Sequence, residues 1–257
     1  MPKIKLKLNK TSELIDMLDD LTKIDDKIKL KIDNDNILLY SALMSGQTTL
    51  AFKNYLIDTK EYFTYKGDLE FNIDVILINA KKFVKNLKFI NSDELVSMEI
   101  EYKDSSDDEN IKIARKIQIS SGKLKVNWIT GEQFTMNDIS KNKLKKVMDI
   151  KKRKWSFTIE QSEFSDIKKL ASINSERIIN IIVKNSKITI SEKSAWELEI
   201  NEIEGDINTD LMINKKFLNS IDSNNNVLVN IFETFMLITT DNSNLMLSYE
   251  QDFEDEE

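Results

Sequence analysis

Wound at about 100° per residue, the stretch Asn79 to Ile90 places Lys81, Lys82, Lys85 and Lys88 in one arc. No acidic residue interrupts that stretch, and Phe83, Val84, Leu87 and Ile90 fill the opposite arc. Like charges three or four residues apart on a helix repel by a few tenths of a kcal/mol. An all-lysine face is therefore either simply solvated or matched by an external anion. Lys215 and Lys216 repeat the pattern further along, and Lys168 and Lys169 add another pair, which favours the anion. The basic residues are Lys apart from Arg115, Arg153 and Arg177, and Phe89 is the single aromatic residue within the lysine arcs. That composition suits diffuse attraction to a phosphate backbone rather than base reading or base stacking.

Other chemistry is scarce. The chain has no His and no Cys, so it cannot build a Ser-His-Asp triad, a thiol nucleophile, a zinc site of the usual type or a disulfide framework. Its five glycines, Gly46, Gly67, Gly122, Gly131 and Gly205, lie too far apart for a phosphate-cradling glycine loop. Asp104, Asp107, Asp108 and Glu109 could hold Mg²⁺ for phosphoryl chemistry, but they sit in a Ser-Asp run with the composition of an exposed loop. No metal site, cofactor or catalytic residue is expected.

These side chains need a scaffold. The 257 residues are 40% hydrophobic and 32% charged, with a net charge of −7, enough chain for one large domain or two small ones. The negative sum argues against coating nucleic acid, yet the charge is segregated: the tail after Tyr249 is acidic and Lys141 to Lys154 is basic. Met1 to Lys10 alternates Lys with Ile and Leu, which reads as neither a signal peptide nor a membrane span. Period-2 alternation predicts strands at Ile4–Leu8, Ile28–Ile32, Ile37–Tyr40, Ile111–Ile119, Leu124–Trp128, Ile178–Val183, Ile188–Ile190, Trp196–Ile200 and Val227–Ile231. Asp33 to Asn36 and Asn185 to Lys187 read as hairpin turns. Helical spacing predicts helices over Ser12–Lys23, Asn79–Ile90, Ser162–Ile173 and Asn214–Ile221, with N-caps at Thr11 or Ser12, Asn79, Ser162 and Asn214.

The elements repeat. Ile15, Leu18, Leu21 and Ile24 correspond at constant offset to Phe164, Ile167, Leu170 and Ile173, and a strand pair follows each set. Lys81-Lys82-Phe83-Val84 with Leu87 then matches Lys215-Lys216-Phe217-Leu218 with Ile221. Three matches in one order predict a duplicated α+β architecture, with domains at 1–135 and 155–257 joined by a Lys-rich connector at 136–154.

Two repeated domains with Lys-bearing helices on sheets, in a His-free acidic chain, resemble the DNA sliding clamps of the proliferating-cell-nuclear-antigen type, and most closely those of tailed phages. The resemblance is carried mainly by Glu163 to Leu170, Ile181 to Ile190, Leu211 to Phe217 and the last strand, Asn244 to Glu250. It implies a homotrimer closed into a ring of six similar domains, which encircles duplex DNA, is opened by an ATP-dependent clamp loader and tethers the replicative DNA polymerase. It implies no enzyme activity, no membrane and a cytoplasmic setting, that of an infected bacterial host if phage-encoded. By position Lys81, Lys82, Lys85, Lys88, Lys168, Lys169, Lys215 and Lys216 would line the hole. Leu144, Val147, Met148, Ile150, Tyr249 and Phe253 would frame a pocket for apolar partner peptides. Leu124, Val126 and Trp128 of one subunit would lie beside Trp196, Leu198 and Ile200 of the next. One departure stands out: the first helix carries Glu13, Asp16, Asp19 and Asp20 where its repeat carries Lys168 and Lys169. A structural or scaffolding phage protein with duplicated β domains is the competing reading, though it gives the recurring lysines no role.

Overall fold

The computed structural model describes residues 1–250 apart from 47, 66–70, 91–93, 107, 140, 194, 203–206 and 222–223, and leaves the side chains of 141, 143, 201 and 202 undescribed. The chain forms two compact units, Met1–Ala42 with Lys53–Leu144, and Leu43–Phe52 with Lys145–Glu257.

The first unit runs β1 (Lys3–Leu8), α1 (Thr11–Leu21), β2 (Lys27–Ile32), β3 (Asn36–Ser45), β4 (Thr48–Asp58), the single turn α2 (Thr59–Tyr62), β5 (Phe63–Thr64), β6 (Asn72–Ile78), α3 (Ala80–Leu87), β7 (Val96–Asp104), β8 (Ile111–Ser121) and β9 (Leu124–Ile129). A 3₁₀ turn at Gln133–Thr135, α4 (Lys141–Val147) and a second 3₁₀ turn at Ile150–Lys152 follow. The second unit continues with β10 (Trp155–Ile159), α5 (Gln161–Ile173), β11 (Ile178–Lys184), β12 (Lys187–Glu192), β13 (Trp196–Glu202), β14 (Thr209–Asn214), a 3₁₀ helix at Lys215–Ser220, β15 (Val227–Ile231), β16 (Phe235–Thr239) and β17 (Asn244–Ser248).

Strand pairing makes the internal repeat explicit. In the first unit the order β4-β3-β2-β6 matches β13-β12-β11-β14 in the second, and β1-β7-β8-β9 matches β10-β15-β16-β17. Apart from α2 and β5, each unit thus contains two successive copies of strand–helix–three strands. Among the described residues β6 meets β8 in parallel over Asn72–Asp74, while β6 pairs β2, and β8 pairs β7 and β9, in antiparallel fashion. Leu43–Phe52 counts with the second unit, where β4 lies beside β17 and Ser248 Oγ donates to the Thr49 carbonyl at 2.5 Å.

Local sequence explains the turns. Between β2 and β3, Asp33 Oδ1 accepts from the amides of Asp35 and Asn36, fixing the register Ile32 to Ile37. Asn185 and Ser186 both adopt positive φ in the two-residue loop closed by Lys184 and Lys187, the twist that a tight hairpin needs. The predicted helices are present with shifted ends. Lys10, not Thr11 or Ser12, precedes α1, because Thr11 is buried against the core. Glu160 caps α5 in a reciprocal capping box with Glu163, in place of Ser162. Asn214 does cap its helix, accepting from the Lys216 amide at 3.2 Å, but that helix is 3₁₀ rather than α. β4, β5, β6, β7, β10, β14, β16 and β17 are not among the strands expected from alternation, although Val96–Ile100 of β7 and Trp155–Ile159 of β10 do alternate; β6 and β16 are near-continuous apolar runs with almost every position covered.

Each core lies between helices and sheet. In the first, Leu14, Ile15, Leu18 and Leu21 of α1 meet Ala80, Phe83, Val84 and Leu87 of α3 over Leu30, Val75 and Ile117. In the second, Phe164, Ile167 and Leu218 pack over Ile181, Ile190, Val229 and Met236. Burying each such side chain contributes about 1.5–3 kcal/mol, so the helix orientations are set by their apolar stripes and the lysines are left outside.

Candidate nucleic-acid interface

α3 begins after Asn79, which adopts a left-handed conformation and makes no side-chain cap. The cap comes from the loop before β2: Asp26 accepts from the Ala80 amide through its carbonyl (3.0 Å) and from the Lys81 amide through Oδ1 (2.7 Å). Trp128 fixes the same end, donating from Nε1 to the Ile78 carbonyl at 3.1 Å and tilting against Phe83 at 5.3 Å. Thus anchored, α3 exposes Lys81, Lys82, Lys85 and Lys88. Lys88 reaches α1 and pairs with Asp19 at 2.9 Å. The other acids of α1 behave differently. Asp20 turns in to Tyr55 and the buried Lys53, with Lys23 at 3.0 Å, and Glu13 accepts from the Tyr62 hydroxyl at 2.8 Å. Burial and the Glu13 carboxylate push the Tyr62 hydroxyl well above the usual tyrosine range. Asp16 is exposed. The acidic helix therefore adjoins the lysine face and takes one of its four cations.

The second unit arranges its cations otherwise. Lys168 donates to the Ile221 carbonyl at 3.3 Å and Lys169 pairs with Asp166 at 3.0 Å. Lys216 is exposed, its ammonium 4.7 Å from the centre of the Phe217 ring. Lys215 does not join them: its ammonium is taken by the fully buried Glu192 and by the Asn174 carbonyl, both at 2.7 Å. A carboxylate buried this deeply needs a partner charge, and Lys215 supplies it, with Trp196 Nε1 donating to the other oxygen at 2.8 Å. Lys168, Arg177, Lys215 and Lys216 border an open groove of about 300 Å³ between α5 and the 3₁₀ helix. Arg177 was not singled out from the sequence because it lies in a loop outside any helical face. Aligning Ile15 with Phe164 sets Asp19 against Lys168, so the residue bridging the two helices changes sign between units.

The start of the connector is fastened to the first unit. Lys29, in the middle of β2, is fully buried and pairs with Asp74 at 2.8 Å and with Asp138 at 2.5 Å; Lys31 also reaches Asp138, at 2.8 Å. Tyr40 donates to the Asn137 carbonyl at 3.1 Å and accepts from the Ile139 amide at 3.2 Å. Burial alone would pull the Lys29 ammonium toward neutrality, but Asp74 and Asp138 outweigh it and hold its pKa above the ordinary lysine value. Asp138 in turn resists burial through its bonds from Lys29 and Lys31 and stays below the usual carboxylate value. Of the pocket candidates, Val147 and Ile150 are exposed, and Leu144 and Met148 are half-buried. Tyr249 is committed to the second unit, donating to the carbonyls of Phe232 and Phe235 at 3.1 and 2.8 Å. Phe253 lies outside the described residues. Phe134, at 89% exposure in the 3₁₀ turn before the connector, was missed because a lone aromatic carries no periodicity.

β9 and β13 are edge strands: β9 pairs only with β8, and β13 only with β12, among the described residues. Val126 is core and Trp128 is packed on Phe83; on β9 the exposed positions are Leu124, Lys125, Asn127 and Ile129. On β13, Trp196, Leu198 and Ile200 are half-buried and Glu197 and Glu199 are exposed. In the acidic loop, Asp104 pairs with Lys112 at 2.8 Å and Asp108 caps the Asn110 amide at 2.9 Å; Asp107 lies outside the described residues. No group of three or more acidic residues is placed to hold a metal among the described residues, and no described helix is long and apolar enough to cross a membrane.

Two β-rich units of repeated strand–helix–three-strand composition, with the helices on the sheets, define the fold of the DNA sliding clamps. No protein-family model and no curated protein matches the sequence. Among solved structures, the chain is similar to the proliferating cell nuclear antigen of Entamoeba histolytica, at 13% identity and a TM-score of 0.65 over 96% of this chain and 99% of that one. It is also similar to the Helicobacter pylori β clamp solved with a DNA ligase peptide (15% identity, TM-score 0.68, 98% of this chain and 66% of that one). A protein of Eubacterium rectale described as a DNA polymerase III β subunit matches at 14% identity and a TM-score of 0.65. The chain spans 65% of that protein's length.

Proposed function

We propose that this chain is a sliding clamp of the tailed-phage type, a homotrimeric ring that encircles duplex DNA in the cytoplasm of the infected host. It would be loaded by an ATP-dependent loader and tether the replicative polymerase without catalysing a reaction. The observation that carries this reading is a missing partner on each of two edges. In the second unit β17 has the first half of β4 beside it. In the internal repeat β9 corresponds to β17 and β13 to β4, yet among the described residues β9 and β13 end their sheets. A β9 edge on one copy meeting a β13 edge on the next repeats a junction the chain already makes. The match to 99% of a proliferating cell nuclear antigen subunit supports two units per chain, and hence three chains for six units.

On this reading retention on DNA is topological, so the lysines need only weak, sequence-independent attraction that lets the ring slide. Lys81, Lys82, Lys85 and Lys88, with Lys168, Lys169 and Lys216, supply it; Lys215 is assigned to structure. The 136–154 connector, with Leu144, Val147, Met148 and Ile150, is the docking surface for apolar peptides of polymerase and loader, with Tyr249 and Phe253 at the C-terminal end. Light scattering over a range of concentrations tests the ring: a species of three chain masses that falls apart on dilution is expected. Retention on circular DNA with loss from linear DNA then tests encirclement. A strict monomer at high concentration refutes the closed ring.

A further inference from the structure

β9 and β13 carry opposite charges on their exposed faces. The exposed face of β9 carries Lys125, with Lys123 in the adjoining turn; the exposed face of β13 carries Glu197 and Glu199. We propose that these charges are a matching code that joins β9 of one copy only to β13 of another and fixes their register, with Lys125 opposite Glu199. The proposal deepens the ring reading above and rests on it.

Faces restrict the choice first. Val126 is core and Leu198 half-buried on the inward sides of the two strands, and residues directly opposed in an antiparallel pair share a face. A slip of one residue would turn every apolar side chain out, so only registers two residues apart remain. With Lys125 opposite Glu199, the inward pairs become Leu124 with Ile200, Val126 with Leu198 and Trp128 with Trp196, apolar throughout. Glu197 then lies diagonal to Lys125, and Lys123 diagonal to Glu199, both within reach of long side chains. Shifting by two residues in either direction takes Trp128 off Trp196, and in one direction it also takes Lys125 off a glutamate. Glu199 also holds Lys187 of its own unit at 2.8 Å, and a carboxylate has lone pairs for both.

The same charges exclude the wrong partners. β9 against β9 would oppose Lys to Lys, and β13 against β13 Glu to Glu, and like charges directly across a ladder destabilise it. Two-fold dimers through either edge are thereby disfavoured. The head-to-tail contact that remains is the kind that closes into rings.

Charge reversal tests this in the full chain. Lys125→Glu and Glu199→Lys should each raise the concentration at which the assembly dissociates by roughly tenfold per interface at low salt, with far-UV circular dichroism unchanged. The double variant Lys125→Glu/Glu199→Lys should assemble better than either single variant, because the directly opposed pair is again of opposite charge, but short of wild type, because Lys123, Lys187 and Glu197 then meet like charges. An equimolar mixture of the two single variants should form heterotypic contacts but no closed homotypic ring. If the single variants assemble like wild type, or the double variant is no better than the singles, the code is wrong while the ring stands. A wild-type monomer at every concentration overturns the ring and the code together.

Discussion

Replacing Asp19 by Asn releases Lys88, the one cation of the α3 face that an acid of α1 holds, and should make DNA binding tighter. The pair spans 2.9 Å with both side chains close to half exposed (49% and 43%), the class of ion pair worth about 0.2–1 kcal/mol to folding. The melting temperature should therefore fall by no more than about 2–4 °C for a chain of this size. The gain on DNA is larger in proportion. One additional lysine–phosphate contact steepens the dependence of log affinity on log salt by about 0.9. Lowering salt from 200 to 50 mM then strengthens binding by about 3.5-fold more than in wild type. Fluorescence anisotropy with a short duplex over that salt range measures the slope directly. Lys88→Gln alone should leave the wild-type slope nearly unchanged, because Asp19 already holds that cation, and in its presence Asp19→Asn should add nothing. An unchanged slope in Asp19→Asn, or equal effects of Asp19→Asn with and without Lys88, would refute the assignment of α3 to the phosphate-facing surface.

Lys215 and Lys216 should separate stability from binding. Lys215→Met strands the buried Glu192 carboxylate and should cost about 3–5 kcal/mol in urea denaturation with little change in salt slope. Lys216→Met should leave stability within about 0.5 kcal/mol and reduce the slope by about 0.9. Asp74→Ala leaves Lys29 buried with only Asp138 and should also cost about 3–5 kcal/mol. Asp138→Ala, at a half-exposed site with Asp74 still in place, should cost about 1 kcal/mol. The connector anchorage should be flat from about pH 5 to 9. Asp138, held below its ordinary value, contributes above about pH 4 and loses that contribution as pH falls through its folded value. Lys29, held above its ordinary value, contributes below about pH 10 and fades only beyond its raised value. Limited proteolysis within 136–150 should accelerate only outside that window, and acceleration near neutrality would contradict it.

Much of the fold was legible because it rests on period and repetition. The α1–β2–β3 and α5–β11–β12 correspondence follows from apolar spacing at constant offset: Phe164 and Ile167 are buried like Ile15 and Leu18, whereas Ile173, the counterpart of the buried Ile24, is exposed at the end of α5. Helix caps were less legible: Asp26 caps α3 from far away in sequence, and Glu160 displaces the better-known serine cap by pairing with Glu163. Strands such as β16 were missed because covering both faces erases alternation.

By itself the sequence determined that the chain has duplicated α+β halves, that thiol and imidazole chemistry is absent, and that lysines collect on helix faces. These follow from residue types and from local periodicity, which any compact fold must respect. Only the tertiary structure decided which lysines are available. Lys29 lies in the alternating Lys27–Ile32 strand, where period 2 puts every lysine toward water, yet Asp74 and Asp138 enclose it completely. Lys215 and Lys216 look interchangeable in sequence, but Glu192, brought in from β12, claims one and leaves the other exposed. Charge is a property of the residue; whether it remains available to an external phosphate depends on what the fold places within a few ångströms of it.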